Sequence, residues 1–138
     1  MGRHAGQFGK EFGQRNIIFV VEIAGVTFCH LGDNRLKVPE ELGRIDVLMV
    51  PVDETNHLLT YEEVELLVSR LDPALVVPMH YRIPGLTDPA SLLGEIEDWL
   101  ARSPAVRRIS GAHAKFSPSN LPAKREVWVF ESPGTATG

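Results

Sequence analysis

Apolar residues along this chain fall in short dense runs separated by Gly, Pro, Asn and Asp, with two stretches in which they recur at helical spacing. The run Ile17-Ile18-Phe19-Val20-Val21-Glu22-Ile23 is followed by Ala24-Gly25 and then Val26-Thr27-Phe28-Cys29-His30-Leu31. Two apolar runs around a tight Gly-containing turn predict a β-hairpin. Asp46-Val47-Leu48-Met49-Val50-Pro51-Val52 and Ala74-Leu75-Val76-Val77-Pro78-Met79 are nearly continuous apolar runs, the pattern of central strands covered on both faces. Between them Thr60 is an N-cap with Glu63 three residues on, and Val64, Leu67, Val68 and Leu71 then line one side until Asp72-Pro73. This spacing predicts a helix, and so a strand–helix–strand crossover between parallel strands. A second helix is predicted over residues 89–101, with Leu92, Leu93, Ile96, Trp99 and Leu100 on its stripe and Glu95, Glu97 and Asp98 outside it. Val106-Arg107-Arg108-Ile109 and Glu126-Val127-Trp128-Val129-Phe130 read as late strands. Each helix carries a single apolar stripe, which places both on one face of a mixed sheet in an α/β domain.

The 138 residues suit one domain with one core. Residues 1–15, rich in Gly and without periodicity, are expected to form a flexible arm. Residues 16–131 form the domain, and 132–138 a disordered tail. A composition of 43% hydrophobic and 23% charged residues is that of a globular protein. The net charge of -4, with scattered Lys and Arg, argues against a phosphate-tracking surface and hence against nucleic acid as partner. No apolar run approaches the roughly 18 residues a bilayer requires, and no apolar signal core opens the chain, so the reading is cytoplasmic, with no membrane partner. The single cysteine, Cys29, sits in an apolar strand and reads as a buried, inert thiol.

Chemistry is concentrated where predicted strands end. Leu31-Gly32-Asp33, Val50-Pro51-Val52-Asp53 and Val77-Pro78-Met79-His80 each finish an apolar run in a residue able to bind a metal. Loops at the carboxyl ends of parallel strands converge on one edge of an open α/β sheet, so these side chains can meet in space. Imidazole and carboxylate together suit zinc, manganese or iron. The plainer reading of an Asp after a strand is a turn former or cap.

The ordered series His30-Leu31-Gly32-Asp33, then Ile45 through Val52, then Leu75-Val76-Val77-Pro78-Met79-His80-Tyr81, with His57-Leu58-Leu59-Thr60-Tyr61-Glu62-Glu63 between, resembles the later motifs of the metallo-β-lactamase superfamily. The resemblance is to the C-terminal half of its lactonase-like, metal-dependent hydrolases. It implies half of an αββα sandwich. It also implies that Asp33 is a catalytic, metal-bridging carboxylate and that His80 is a metal ligand. His4 matches a further family ligand by spacing in a Gly-rich segment, although Ala5 stands where the family often has Asp. The family's His-x-His-x-Asp-His signature has no counterpart here. His4, Asp33 and His80 with a water would make a three-ligand site of the kind catalytic zinc uses, partly occupied or empty because the set is incomplete.

Other candidates keep two readings each. His57 is a substrate-binding or supporting residue, or a solvated loop histidine; Tyr81 positions substrate, or packs beside the strand end. Asp53 qualifies as a ligand on chemistry alone, without support from the resemblance. His30 is expected to make a structural hydrogen bond, His113 to lie on the surface, and Trp99 and Trp128 to pack in the core or an interface. Two functions follow. One is a hydrolase using metal-activated water on a small-molecule ester, lactone, amide or phosphoester. The other is a catalytically incomplete module that self-associates as a homodimer or pairs with a separate N-terminal half, since a lone half leaves an apolar sheet face to cover.

Overall fold

The computed structural model describes residues 17–32, 40–53 and 59–131. The expected arm at 1–15 and tail at 132–138 lie outside these residues. Six strands, β1 (Phe19–Ile23), β2 (Val26–His30), β3 (Val47–Pro51), β4 (Leu75–Met79), β5 (Val106–Ile109) and β6 (Glu126–Phe130), form one sheet in the order β1-β2-β3-β4-β6-β5. Only β1 runs antiparallel to its neighbour, and every other pairing is parallel. The sheet is therefore mixed, as the apolar runs predicted.

The hairpin turns through Ala24 (φ 52°) and Gly25 (φ 84°), both left-handed, the geometry that matches the twist of the flanking strands. A side chain at position 25 would also meet the Pro118 ring at 3.0 Å. Asp46, 5% exposed, locks β2 against β3: its carboxylate accepts the Thr27 N–H at 2.9 Å and the Arg44 side chain at 3.0 Å. The Asp46 carbonyl accepts the N–H groups of Ala74 and Leu75, which sets the start of β4 beside β3.

Helix α1 (Tyr61–Leu71) begins with the predicted capping box. The Thr60 hydroxyl accepts the Glu63 N–H at 3.1 Å and the Glu63 carboxylate accepts the Thr60 N–H at 2.8 Å. A cap of this kind contributes about 1 kcal/mol. Asp72, left-handed at φ 51°, ends the helix before Pro73. Val64 and Leu67 from α1 join Ile96, Trp99 and Leu100 against Cys29, Leu48, Val50, Val76, Val127 and Val129. Both helices thus cover one face of the sheet. Burial pushes the Cys29 thiol up to about 11, so it stays neutral and unreactive.

The second helix is much shorter than its sequence pattern predicted: α2 spans only Glu97–Leu100. The backbone donors that a longer helix needs are used otherwise. Ala90 N–H goes to the Asp88 side chain, Leu93 N–H to the Ser91 hydroxyl, and Gly94 N–H to Asp53. Asp and Ser compete with helical hydrogen bonds in this way, and Gly94 adds the cost of its backbone freedom. Leu92, assigned to the buried stripe by spacing, is 78% exposed.

The opposite face is built on Val26, Val47, Leu75 and Trp128. Phe116 from the segment before β6 packs edge-on to Phe28 and stacks on Trp128, with ring centroids 5.5 and 5.6 Å apart. Because Phe19, Val21 and Ile23 pair with His30, Phe28 and Val26, they share this second face, yet they are exposed. Among the described residues no helix is long and apolar enough to cross a membrane.

Candidate functional site

The chemistry gathers at the carboxyl ends of β3 and β4. The two strands run parallel in register, Pro51 opposite Met79, and Val52 N–H continues the ladder to the Met79 carbonyl at 3.0 Å. Asp53 therefore leaves β3 beside the point where His80 leaves β4. Asp53 is 1% exposed, and its Oδ2 lies 3.8 Å from His80 Nδ1. That separation suits an ion pair or an oriented charge–dipole contact and exceeds a hydrogen bond. Asp53 Oδ1 accepts the Gly94 N–H at 3.1 Å.

His80 has a left-handed backbone, φ 64°. This is an uncommon and costly conformation for a residue with a side chain, and it is held where the surroundings over-determine it. The surroundings here are specific. Arg82 N–H donates to the Gly94 carbonyl at 2.7 Å, and Arg82 bridges Glu95. The Arg82 side chain also reaches the Ser91 carbonyl at 3.4 Å. Gly94 is thus fastened on both sides, by its N–H to the end of β3 and by its carbonyl to the segment after β4. The His80 side chain is 29% exposed, while Nδ1 and Asp53 Oδ2 are shielded from solvent. The ring accordingly turns its Nδ1 edge into the protein, while part of its remaining surface is open to solvent.

Tyr81 packs against the helix-side core, and burial raises its phenol above the usual range, partly countered by Arg108. His30 is exposed, and its Nδ1 accepts the Gly32 N–H at 3.1 Å, the structural hydrogen bond expected of it. His113 is exposed, and Trp99 and Trp128 are buried. His4, Asp33 and His57 lie outside the described residues, so of the predicted site residues His80 and Tyr81 alone have a described position. Among the described residues no group of three or more His, Cys, Asp and Glu side chains is gathered as a metal site. His80 nonetheless fits a metal ligand: it is an imidazole at a strand end, with one nitrogen turned inward beside a carboxylate. The sequence places Asp53 and His80 at one sheet edge, as the structure shows, but it offers Asp53 as a possible metal ligand or turn former and not as a partner of the His80 ring. The signal available was its place one strand over from His80.

A cleft of about 200 Å³ on the helix face is remote from this edge. Its lining includes Val76 and Val127 near the amino ends of β4 and β6, and Arg102 and Arg125, which are paired with Glu62 and Glu65 and with Asp72.

The fold is that of one known family. A family model for the beta-lactamase superfamily domain matches residues 1–80, and the chain belongs to that family. Its structure is similar to the 2.00 Å crystal structure of a Thermotoga maritima protein proposed to be a Zn-dependent hydrolase of the metallo-beta-lactamase superfamily. The TM-score is 0.69 at 33% sequence identity, over 85% of this chain and 59% of that one. The chain thus spans under two thirds of its structural neighbour. No curated protein matches it.

Proposed function

We propose that this chain is a metal-dependent hydrolase domain that acts on an ester, lactone, amide or phosphoester, with His80 as a ligand of zinc or a similar cation. The observation that carries the reading is His80 itself, held in a left-handed conformation at the end of β4 with its ring partly open to solvent and Nδ1 beside buried Asp53. Asp33 and His4 complete the ligand set on the strength of the family resemblance, with Asp33 the catalytic carboxylate. A metal held there would supply Lewis acidity to a water and to the scissile carbonyl or phosphoryl group. Tyr81 and His57 are the proposed substrate-side residues. The purified chain, stripped with chelator and dialysed against zinc or manganese, is expected to retain one ion per chain or less. Metal content at the level of a buffer blank after dialysis removes the reading.

A second reading is favoured by strand β1. Ile17, Phe19, Val20, Val21 and Ile23 are all 43–60% exposed, an apolar edge of a kind that soluble monomers cover or charge. In this reading β1 and the adjoining sheet face meet a second copy of the chain, or a separate N-terminal half, and the catalytic set is incomplete without it. Sedimentation is expected to show a dimer at micromolar concentration that Val21→Lys converts to a folded monomer. A monomeric parent protein rules out self-association.

A further inference from the structure

We infer that Asp53 is a positioning residue that fixes the tautomer of His80, presenting Nε2 as its electron-pair donor. The inference rests on the proposed metal reading for its purpose but on the geometry of the chain for its content. Asp53 Oδ2 and His80 Nδ1 face each other at 3.8 Å in a place closed to solvent. A neutral imidazole can turn either a lone pair or an N–H toward that carboxylate. A lone pair would set two acceptors against each other where no bulk water screens them, whereas an N–H is attracted to the negative charge. The proton therefore resides on Nδ1, and the lone pair on Nε2.

The carboxylate is a fixed reference for this choice. Its Oδ1 is occupied by the Gly94 N–H at 3.1 Å, and Gly94 is in turn bound through its carbonyl to Arg82, two residues beyond His80. Asp53, Gly94 and the segment after β4 are thus linked in a closed loop of contacts that begins and ends at the His80 end of β4. Rotation of the carboxylate would break the Gly94 bond, so Oδ2 stays aimed at the ring. A carboxylate or carbonyl that holds the far nitrogen of a ligating histidine sets the ring's orientation and basicity, and its loss lowers metal affinity about 10- to 100-fold.

Asp53→Asn tests this sharply, because the shape is kept and the polarity reversed. The Gly94 N–H needs an acceptor, which holds the Asn oxygen where Oδ1 now sits and turns the amide NH₂ toward His80. That donor demands a lone pair on Nδ1, moving the imidazole proton to Nε2. Long-range ¹⁵N–¹H spectra of the metal-free full chain, at a pH where His80 is neutral, are expected to show the Nδ1–H tautomer in the parent and the Nε2–H tautomer in Asp53→Asn. Zinc affinity, measured by competition with a chromogenic chelator, is expected to fall about 10- to 100-fold with the thermal midpoint little changed. Tautomer reversal without zinc uptake by the parent upholds the positioning role while removing the metal reading. An Nε2–H tautomer in the parent overturns the inference whether or not the variant folds. So does a folded Asp53→Asn protein with the parent's tautomer and zinc affinity.

Discussion

His80→Ala is expected to abolish zinc uptake, with retained metal falling to the level of a buffer blank. The size of the effect follows from the ligand set. Each protein ligand in a three-residue site carries a large share of the affinity, and the proposed partners Asp33 and His4 cannot saturate a cation by themselves. Loss of the imidazole also leaves buried Asp53 facing a gap in place of an oriented ring. Alanine keeps the Cβ that makes the φ 64° backbone costly and so relieves none of its strain, and circular dichroism is the check that the variant is folded. His57→Ala serves as the control and is expected to leave zinc uptake nearly unchanged. A folded His80→Ala protein that takes up as much metal as the parent would falsify the assignment of His80 as a ligand.

Leu48→Ala is expected to be the more damaging change to stability, costing about 2–5 kcal/mol in urea unfolding. Leu48 is 0% exposed on β3, between β2 and β4 and under the helix layer, where a cavity has little freedom to collapse. Leu66 on α1, 72% exposed, provides the contrast, and its replacement by Ala should stay within about 0.5 kcal/mol. Similar unfolding midpoints for the two variants would show that β3 is not the centre of the core.

Much of this architecture is legible in local patterns, for physical reasons that differ by element. The continuous apolar runs at Val47–Pro51 and Leu75–Met79 reflect strands buried on both faces, and α1 announces itself because both halves of its capping box are side chains. Residues 89–96 misled because Leu92, Leu93 and Ile96 keep helical spacing. The segment's backbone donors go instead to the nearby Asp88 and Ser91 side chains and, from Gly94, to Asp53, a residue 41 positions earlier. Separation in sequence likewise kept from view that Asp53 faces the His80 ring, beyond sharing its sheet edge. His80 was visible as a strand-end histidine within a family-like motif, whereas the role of Asp53 depends on the parallel register of β3 and β4. No window of neighbouring residues contains that register.

The strand order also constrains when this molecule can finish folding. Among the described residues β5 pairs with β6 alone, and β6 lies between β4 and the edge strand β5, so a strand made later fills the gap between two made earlier. During synthesis the hairpin, α1 and the β2-β3-β4 ladder can assemble from residues already made, but β5 has nothing to dock on until residues 126–130 arrive. Until then β4 presents an open apolar edge, and the Trp128 platform for Phe116 does not exist. Such an edge is a site for wrong pairing between nascent chains. The vulnerable interval thus spans the roughly 50 residues made between the end of β4 and the end of β6, a few seconds at ordinary synthesis rates of about 5–20 residues per second.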